Sequence, residues 1–178
     1  KYTVALPAPS LYSQFNNLDD VNIVLNALLL MGFDDVFEVS AAAELVSEAT
    51  RQYISEHEEQ LPLISTACPS VVRLIRVRFP NLIPHLLPIN PGCQEGHGGH
   101  GASEGRDWHY VHFPLSLQGD YVKSPLGTEK SEIDQVLAIK DVYPKLLACM
   151  KTVVGEDYPV IGTSGKIGIS WGHSGGEA

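Results

Sequence analysis

The sequence predicts an α/β fold, a parallel sheet flanked by helices, and three observations carry that prediction. Short apolar runs of strand type alternate with longer runs whose apolar residues recur at helical spacing, through residues 1–90. The order YTVAL, VNIVLNALLLM, DDVFEV is strand, helix, strand, which implies a parallel pair joined by a crossover. Turn residues stand at the junctions, Pro7-Ala8-Pro9-Ser10 after the first strand and Gly32 after the helix.

Taken in order, Tyr2–Leu6 reads as a buried strand and Leu11–Phe15 as a short helix. Asp20 is placed to cap a helix over Val21–Met31, with Val21, Val24, Leu25 and Leu28 on one face and Gly32 closing it. Asp34–Val39 returns as a strand, and a helix follows from Ala41 to about His57, its wetter face carrying Glu44, Glu48 and Arg51. Leu61–Ile64 is expected as a third strand, leading into a helix that holds Pro69 in its first turn and stops at Pro80. Ser65 or Thr66 is the expected cap of that helix. In the second half, Tyr110–Leu117 is an apolar run broken at Pro114, Gln135–Ile139 reads as a strand, and Val142–Val154 as a helix burying Cys149. The chain thus divides into a first α/β segment (1–90), a Gly/His-rich loop (91–108) and a second α/β segment (109–178).

The 178 residues are enough for one well-packed domain, with 44% hydrophobic and 19% charged residues. A net charge of −9 argues against non-specific nucleic-acid binding and against anionic membrane surfaces. No apolar run reaches transmembrane length, so membrane insertion is not expected, and Lys1-Tyr2-Thr3 opens a strand rather than a signal peptide. Three cysteines at irregular spacing make no disulfide framework and favour a reducing, cytoplasmic setting.

Cys68 is the residue with most chemical promise. It directly precedes Pro69 at the start of an amphipathic helix, where the positive end of the helix dipole favours the thiolate that binds metal or attacks. Its residue type leaves three roles open: an inert buried side chain, a metal or cluster ligand, and a nucleophile. If Leu61–Ile64 is a strand, Cys68 lies at a carboxyl strand end, where sites form in layered α/β sheets. Ser10 and Ser40 follow the first two strands, so three strand exits converge on one rim; simple turn chemistry is the alternative for these serines.

A second cluster lies in the Gly/His-rich loop and just after it. Cys93, His97, His100, His109 and His112 could ligate zinc or another divalent metal, and the glycines would let the loop wrap an ion. Against this, a strand over His109–Phe113 would point His109 and His112 to opposite faces. The tail VIGTSGKIGISWGHSGGEA is dense in glycine, as where backbone approaches a ligand closely, but GTSGK does not match a phosphate loop.

The string STACPSVVRLIRVRFPNLIPHLLPI resembles the first cluster-binding motif of the iron-only (di-iron) hydrogenase large subunit, C-terminal domain. VALPAPSLYSQF is similar to that family's first strand and Ala-Pro turn, and ALLLMGFDDVFEVSAAAEL to its helix, Gly-Phe-Asp strand and following helix. SPLGTEKSEIDQVLAIKDVYPKLL resembles the segment after the second cluster cysteine, and GTSGKIGISWGHSGGEA the Gly-Gly-x-x-Glu-Ala stretch near the active site. The match looks closest to variants attached to sensory domains.

The resemblance implies a portion of a two-lobed domain that buries an iron–sulfur cluster, with reversible hydrogen oxidation as the family chemistry. It implies Cys68 as the first ligand of a four-iron cubane, with Ser10, Gly162, Gly175 and Gly176 lining the cofactor pocket. It also implies, as partners, other domains or redox proteins of a hydrogenase or sensory system. The departures are equally specific. Ala67 stands where fast enzymes carry a proton-relaying cysteine. Leu115 and Gln118 fall where the second ligand motif has cysteine and lysine, and the third and fourth ligand cysteines are expected downstream of Ala178. A cubane has four iron corners, each needing an outside ligand, so one matched cysteine implies an inactive form. Two alternatives remain: a cluster-free α/β interaction or sensor domain, and a divalent-metal module built on the histidine-rich loop.

Overall fold

The structure is a computed structural model, and residues 1–16, 18–89, 108–113, 133–162 and 169 are described. Its centre is a four-stranded parallel sheet in the order β2-β1-β3-β4, formed by β1 (Tyr2–Pro7), β2 (Asp35–Val36), β3 (Trp108–Phe113) and β4 (Gln135–Val136). β1 pairs along its full length with β3, from Tyr2 opposite Trp108 to Pro7 opposite Phe113. On its other edge Val4 and Ala5 pair with Asp35 and Val36. Val4 through Pro7 are buried, as expected of a strand paired on both sides and covered on both faces.

Helices fill both layers. α1 (Pro9–Tyr12), α2 (Val21–Leu30) and α5 (Ile139–Val153) share a core with Ala5, Val111 and Phe113; the intervening helices are α3 (Val39–Glu56) and α4 (Pro69–Arg78). Val39, at the start of α3, packs with Val4, Leu6 and Ile133, residues of the opposite sheet face. The alternation of Ala5 with Val4 and Leu6 is the period-2 rule of a strand at work. α2 is built as its sequence dictates: Asp20 Oδ1 accepts from the Asn22 amide at 2.9 Å, Val24, Leu25, Ala27 and Leu28 are buried, and Gly32 follows with φ +109°.

Four expectations are corrected. Leu61–Ile64 is not a strand of this sheet: Ile64 makes a single parallel bridge to Leu86, and Pro62 has no N–H to continue a ladder. The expected strand Asp34–Val39 pairs only at Asp35–Val36, and Glu38 already stands as the N-cap of α3, whose Ala41-Ala42-Ala43 run favours helix. The strand expected over Gln135–Ile139 stops at Val136, because Ile139 opens the stripe Ile139, Val142, Leu146, Met150, Val153 that α5 buries. Finally, α4 is capped neither by Ser65 nor by Thr66. Cys68 itself is the N-cap residue, with no side-chain bond to the amides of the first turn, while Thr66 Oγ1 donates to the Ile89 carbonyl at 2.6 Å.

The β1–β2 edge is locked by Asp34. Its carboxylate accepts from the Thr3 amide and from Thr3 Oγ1, both at 2.8 Å. The Thr3 backbone bond, then its hydroxyl, hold the Asp34 carboxyl below its ordinary range. A carboxyl with a depressed folded-state pKa stabilises above its unfolded value, and that contribution is lost as pH falls through the folded value. Thermal melts taken downward from about pH 4 should therefore lose midpoint temperature progressively, and Asp34→Asn should flatten part of that slope.

Candidate functional site

In a sheet of order 2-1-3-4 the strand order reverses between β1 and β3, and ligands bind outside the carboxyl ends at such a switch point. The side chains gathered near that rim are polar and buried. Tyr12, from α1, donates its hydroxyl to Glu38 Oε1 at 3.0 Å. Glu38 is 6% exposed and sits at the N-terminus of α3, where the helix dipole favours its negative charge. Ser40 is fully buried two residues on; its Oγ stands beside the Tyr12 phenol and makes no well-formed hydrogen bond among the described residues. Burial first, and then the charge of Glu38, raise the Tyr12 phenol well above its ordinary value, while the Ser40 hydroxyl beside it pulls the other way.

Gly162 reaches the same cluster from the end of the described chain. A Cβ there would lie 2.8 Å from Leu25 Cδ1, 3.2 Å from Glu38 Oε2 and 3.3 Å from Asn22 Oδ1. The backbone approaches so closely that glycine is the residue that fits. Ser10 lies half-buried in α1 two residues before Tyr12, its carbonyl accepting from Ser13 Oγ at 2.9 Å. Of the residues expected to line a pocket, Ser10 and Gly162 thus come to the rim that Tyr12 and Glu38 define. Gly175 and Gly176 lie outside the described residues, as do Cys93, His97, His100, Leu115 and Gln118.

Cys68 is half-buried at the head of α4, and its carbonyl accepts from the Val71 and Val72 amides, both at 3.1 Å. It does not follow a strand of the sheet. Its loop is closed instead by the pairing of Ile64 with Leu86 and by a bond of His85 Nδ1 with the Pro62 carbonyl at 2.8 Å. The exit of β3 joins the rim in its place. His109 and His112 do not converge. Buried His112 donates Nδ1 to the Leu6 carbonyl at 2.9 Å, whereas His109 Nδ1 lies on the other face, 3.7 Å from Asp134 Oδ2. Cys149 is half-buried in α5 against the α2–α5 core, in keeping with a packing role.

Tyr12, Glu38 and Asn22 were not among the expected site residues. Tyr12 is legible only as one member of a short apolar helix, and Glu38 as an alternating polar residue of a strand. Neither pattern signals that the two would meet in a buried hydrogen bond, since they are 26 residues apart.

With this geometry in view, the family can be stated. The sequence profile of the family described as iron only hydrogenase large subunit, C-terminal domain, matches residues 1–94, more than half of the chain, and the chain belongs to that family. No curated protein matches it. Among solved structures it is similar to FeFe-hydrogenase HydA1 from Chlamydomonas reinhardtii. One variant of that enzyme matches at 16% identity with a TM-score of 0.59, over 88% of this chain and 44% of that one. A second variant matches at 17% identity with the same TM-score, over 83% and 42%. A structure described as revealing stepwise H-cluster assembly in HydA(deltaEFG) matches at 16% identity and 0.57, over 88% and 43%. At these identities the likeness establishes the fold, and the chain spans less than half the length of these hydrogenases.

The donor set can be tested against the cluster the family implies. A cubane takes four thiolates. Among the described residues the thiols are Cys68 and Cys149, which stand on different helices, and no three His, Cys, Asp or Glu side chains gather in a metal-holding group. The described residues therefore do not fit a four-iron cubane by themselves.

Two substitutions test the rim. Tyr12→Phe removes the phenol donor to the buried Glu38 carboxyl and should lower unfolding free energy by about 2 kcal/mol in urea titrations. Gly162→Ala should cost about 1–3 kcal/mol through overpacking against Leu25 and Glu38, read in the same titration.

Proposed function

We propose that this chain is a hydrogenase-like scaffold that does not hold a working iron–sulfur cluster on its own and serves a sensory or interaction role. The observation that carries the reading is the contrast between family membership over residues 1–94, which include Cys68, and the single thiol at the matched motif among the described residues. Hydrogen oxidation at an iron–sulfur cluster is the family chemistry, and Cys68 is the position at which a ligand would enter. Ala67 offers no proton-transferring side chain beside it.

The partners this reading implies are other domains or redox proteins of a hydrogenase or sensory system, in the cytoplasm, where thiols stay reduced. A net charge of −9 disfavours nucleic acid, and no described helix is long and apolar enough to cross a membrane. The reading of a divalent-metal module is weaker, because β3 turns His109 and His112 to opposite faces.

The test is anaerobic reconstitution of the 178-residue chain with ferrous iron and sulfide, followed by iron and sulfide analysis, a visible spectrum and a hydrogen-turnover assay. The expected result is a colourless, inactive protein, with Cys68→Ala folding as the parent does. Stoichiometric iron and sulfide, with charge-transfer absorbance lost in both Cys68→Ala and Cys68→Ser, would overturn it.

A further inference from the structure

The five residues from Tyr158 to Gly162 run along the outside of α2, and polar side chains of α2 and its cap tie them down. Asn26 Nδ2 donates to the Pro159 carbonyl at 2.9 Å. One turn nearer the helix start, Asn22 Oδ1 accepts from two successive amides, Ile161 and Gly162, each at 2.8 Å. The Tyr158 hydroxyl donates to Asp20 Oδ2 at 3.2 Å, while Asp20 Oδ1 accepts from both the amide and the Nδ2 of Asn22. These bonds link positions more than 130 residues apart. All of them come from side chains on the half-exposed side of a helix whose other face is core.

The position where this strap ends is chemically distinct. α2 follows β1 and starts near the carboxyl rim, so a segment climbing from Asn26 to Asn22 arrives at that rim. There the Gly162 backbone abuts Glu38, the carboxyl that Tyr12 holds, and the buried Ser40 hydroxyl stands beside the same phenol. A buried polar cluster persists only if water is kept off it or its groups are satisfied. The strap supplies part of that cover.

We propose that Asn22 is a positioning residue: its side-chain carbonyl latches the strap Tyr158–Gly162 against α2, closing the rim over the Tyr12–Glu38–Ser40 cluster and fixing where the glycine-rich stretch begins. Three features of the residue suit the task. An asparagine carbonyl has two lone pairs and so can take both amides at once. Its Nδ2 is held by Asp20, which fixes the rotamer that aims Oδ1 at the strap. Gly162 lets the backbone come close enough to be gripped. The proposal goes beyond the functional reading above and is tested without iron, so the failure of either leaves the other standing.

The experiment is hydrogen exchange of the Ile161 and Gly162 amides by NMR, with nitration of Tyr12 by tetranitromethane as a second readout of access. Asn22→Ala removes both hydrogen bonds to the strap, along with the bond to Asp20, and should accelerate exchange at both amides about tenfold or more, with a rise in Tyr12 nitration. The amides of Val4 and Leu6 should be unaffected. Asn26→Ala, which cuts the Pro159 bond and the bond of Nδ2 to the Asn22 carbonyl but leaves Asn22 Oδ1 in place, should open the strap in the same direction to a smaller extent. The double exchange Asp20→Asn with Asn22→Asp keeps the net charge and an acceptor facing the strap, and should restore protection. Unchanged exchange at Ile161 and Gly162 in Asn22→Ala would overturn the proposal. So would equal acceleration at Val4 and Leu6, which would make Asn22 a general support of α2, or failure of the double exchange to restore protection in a folded protein.

Discussion

The pairing of β1 on both edges is the constraint on which the rest of this structure depends. Six residues, Tyr2–Pro7, pair with β3 throughout and with β2 at Val4 and Ala5. Their side chains then divide the interior into two cores, Ala5 towards α1, α2 and α5, and Val4 and Leu6 towards Val39 and Ile133. Because parallel strands need crossovers, this one strand also decides where the helices begin. α1 and α2 follow its carboxyl end and bring Tyr12 and Asn22 to one rim.

That rim carries buried polarity in an otherwise apolar interior. Glu38, Ser40 and His112 are the buried polar residues among those described, and each sits within a few residues of a carboxyl strand end. His112 bonds to the Leu6 carbonyl and Glu38 to Tyr12, whereas Ser40 Oγ makes no well-formed hydrogen bond among the described residues. Keeping such groups out of water is costly unless they serve the site, and the cost is met by the close packing of Gly162. Among the described residues the two thiols, Cys68 and Cys149, stand on different helices and do not come together at this rim.

Much of the first half was legible in advance, for definite reasons. Asp20, the apolar stripe of α2 and Gly32 are local signals, complete within a dozen residues, and each is realised as read. The motif around Cys68 marks the head of α4, because proline in the first helical turn is tolerated and few other helix positions admit it. The errors share one cause. Leu61–Ile64, Phe37–Val39 and Leu137–Ile139 are short apolar runs whose type is not set by periodicity, and neighbours decided each: Leu86 for the first, the N-terminus of α3 for the second, the α2-facing stripe of α5 for the third.

The sequence by itself determined the fold class, the family, the Asp20 cap of α2 and the candidacy of Cys68, Ser10 and Gly162, because these reside in local spacing and residue type. Only the tertiary structure decided which of them meet. It brought Tyr12 to Glu38, set Gly162 against Asn22, turned His109 from His112, and placed Cys68 on a loop apart from the sheet. The physical reason is that contacts across 26 to 140 residues depend on strand order and on where each helix starts, and neither is encoded in any single stretch of chain.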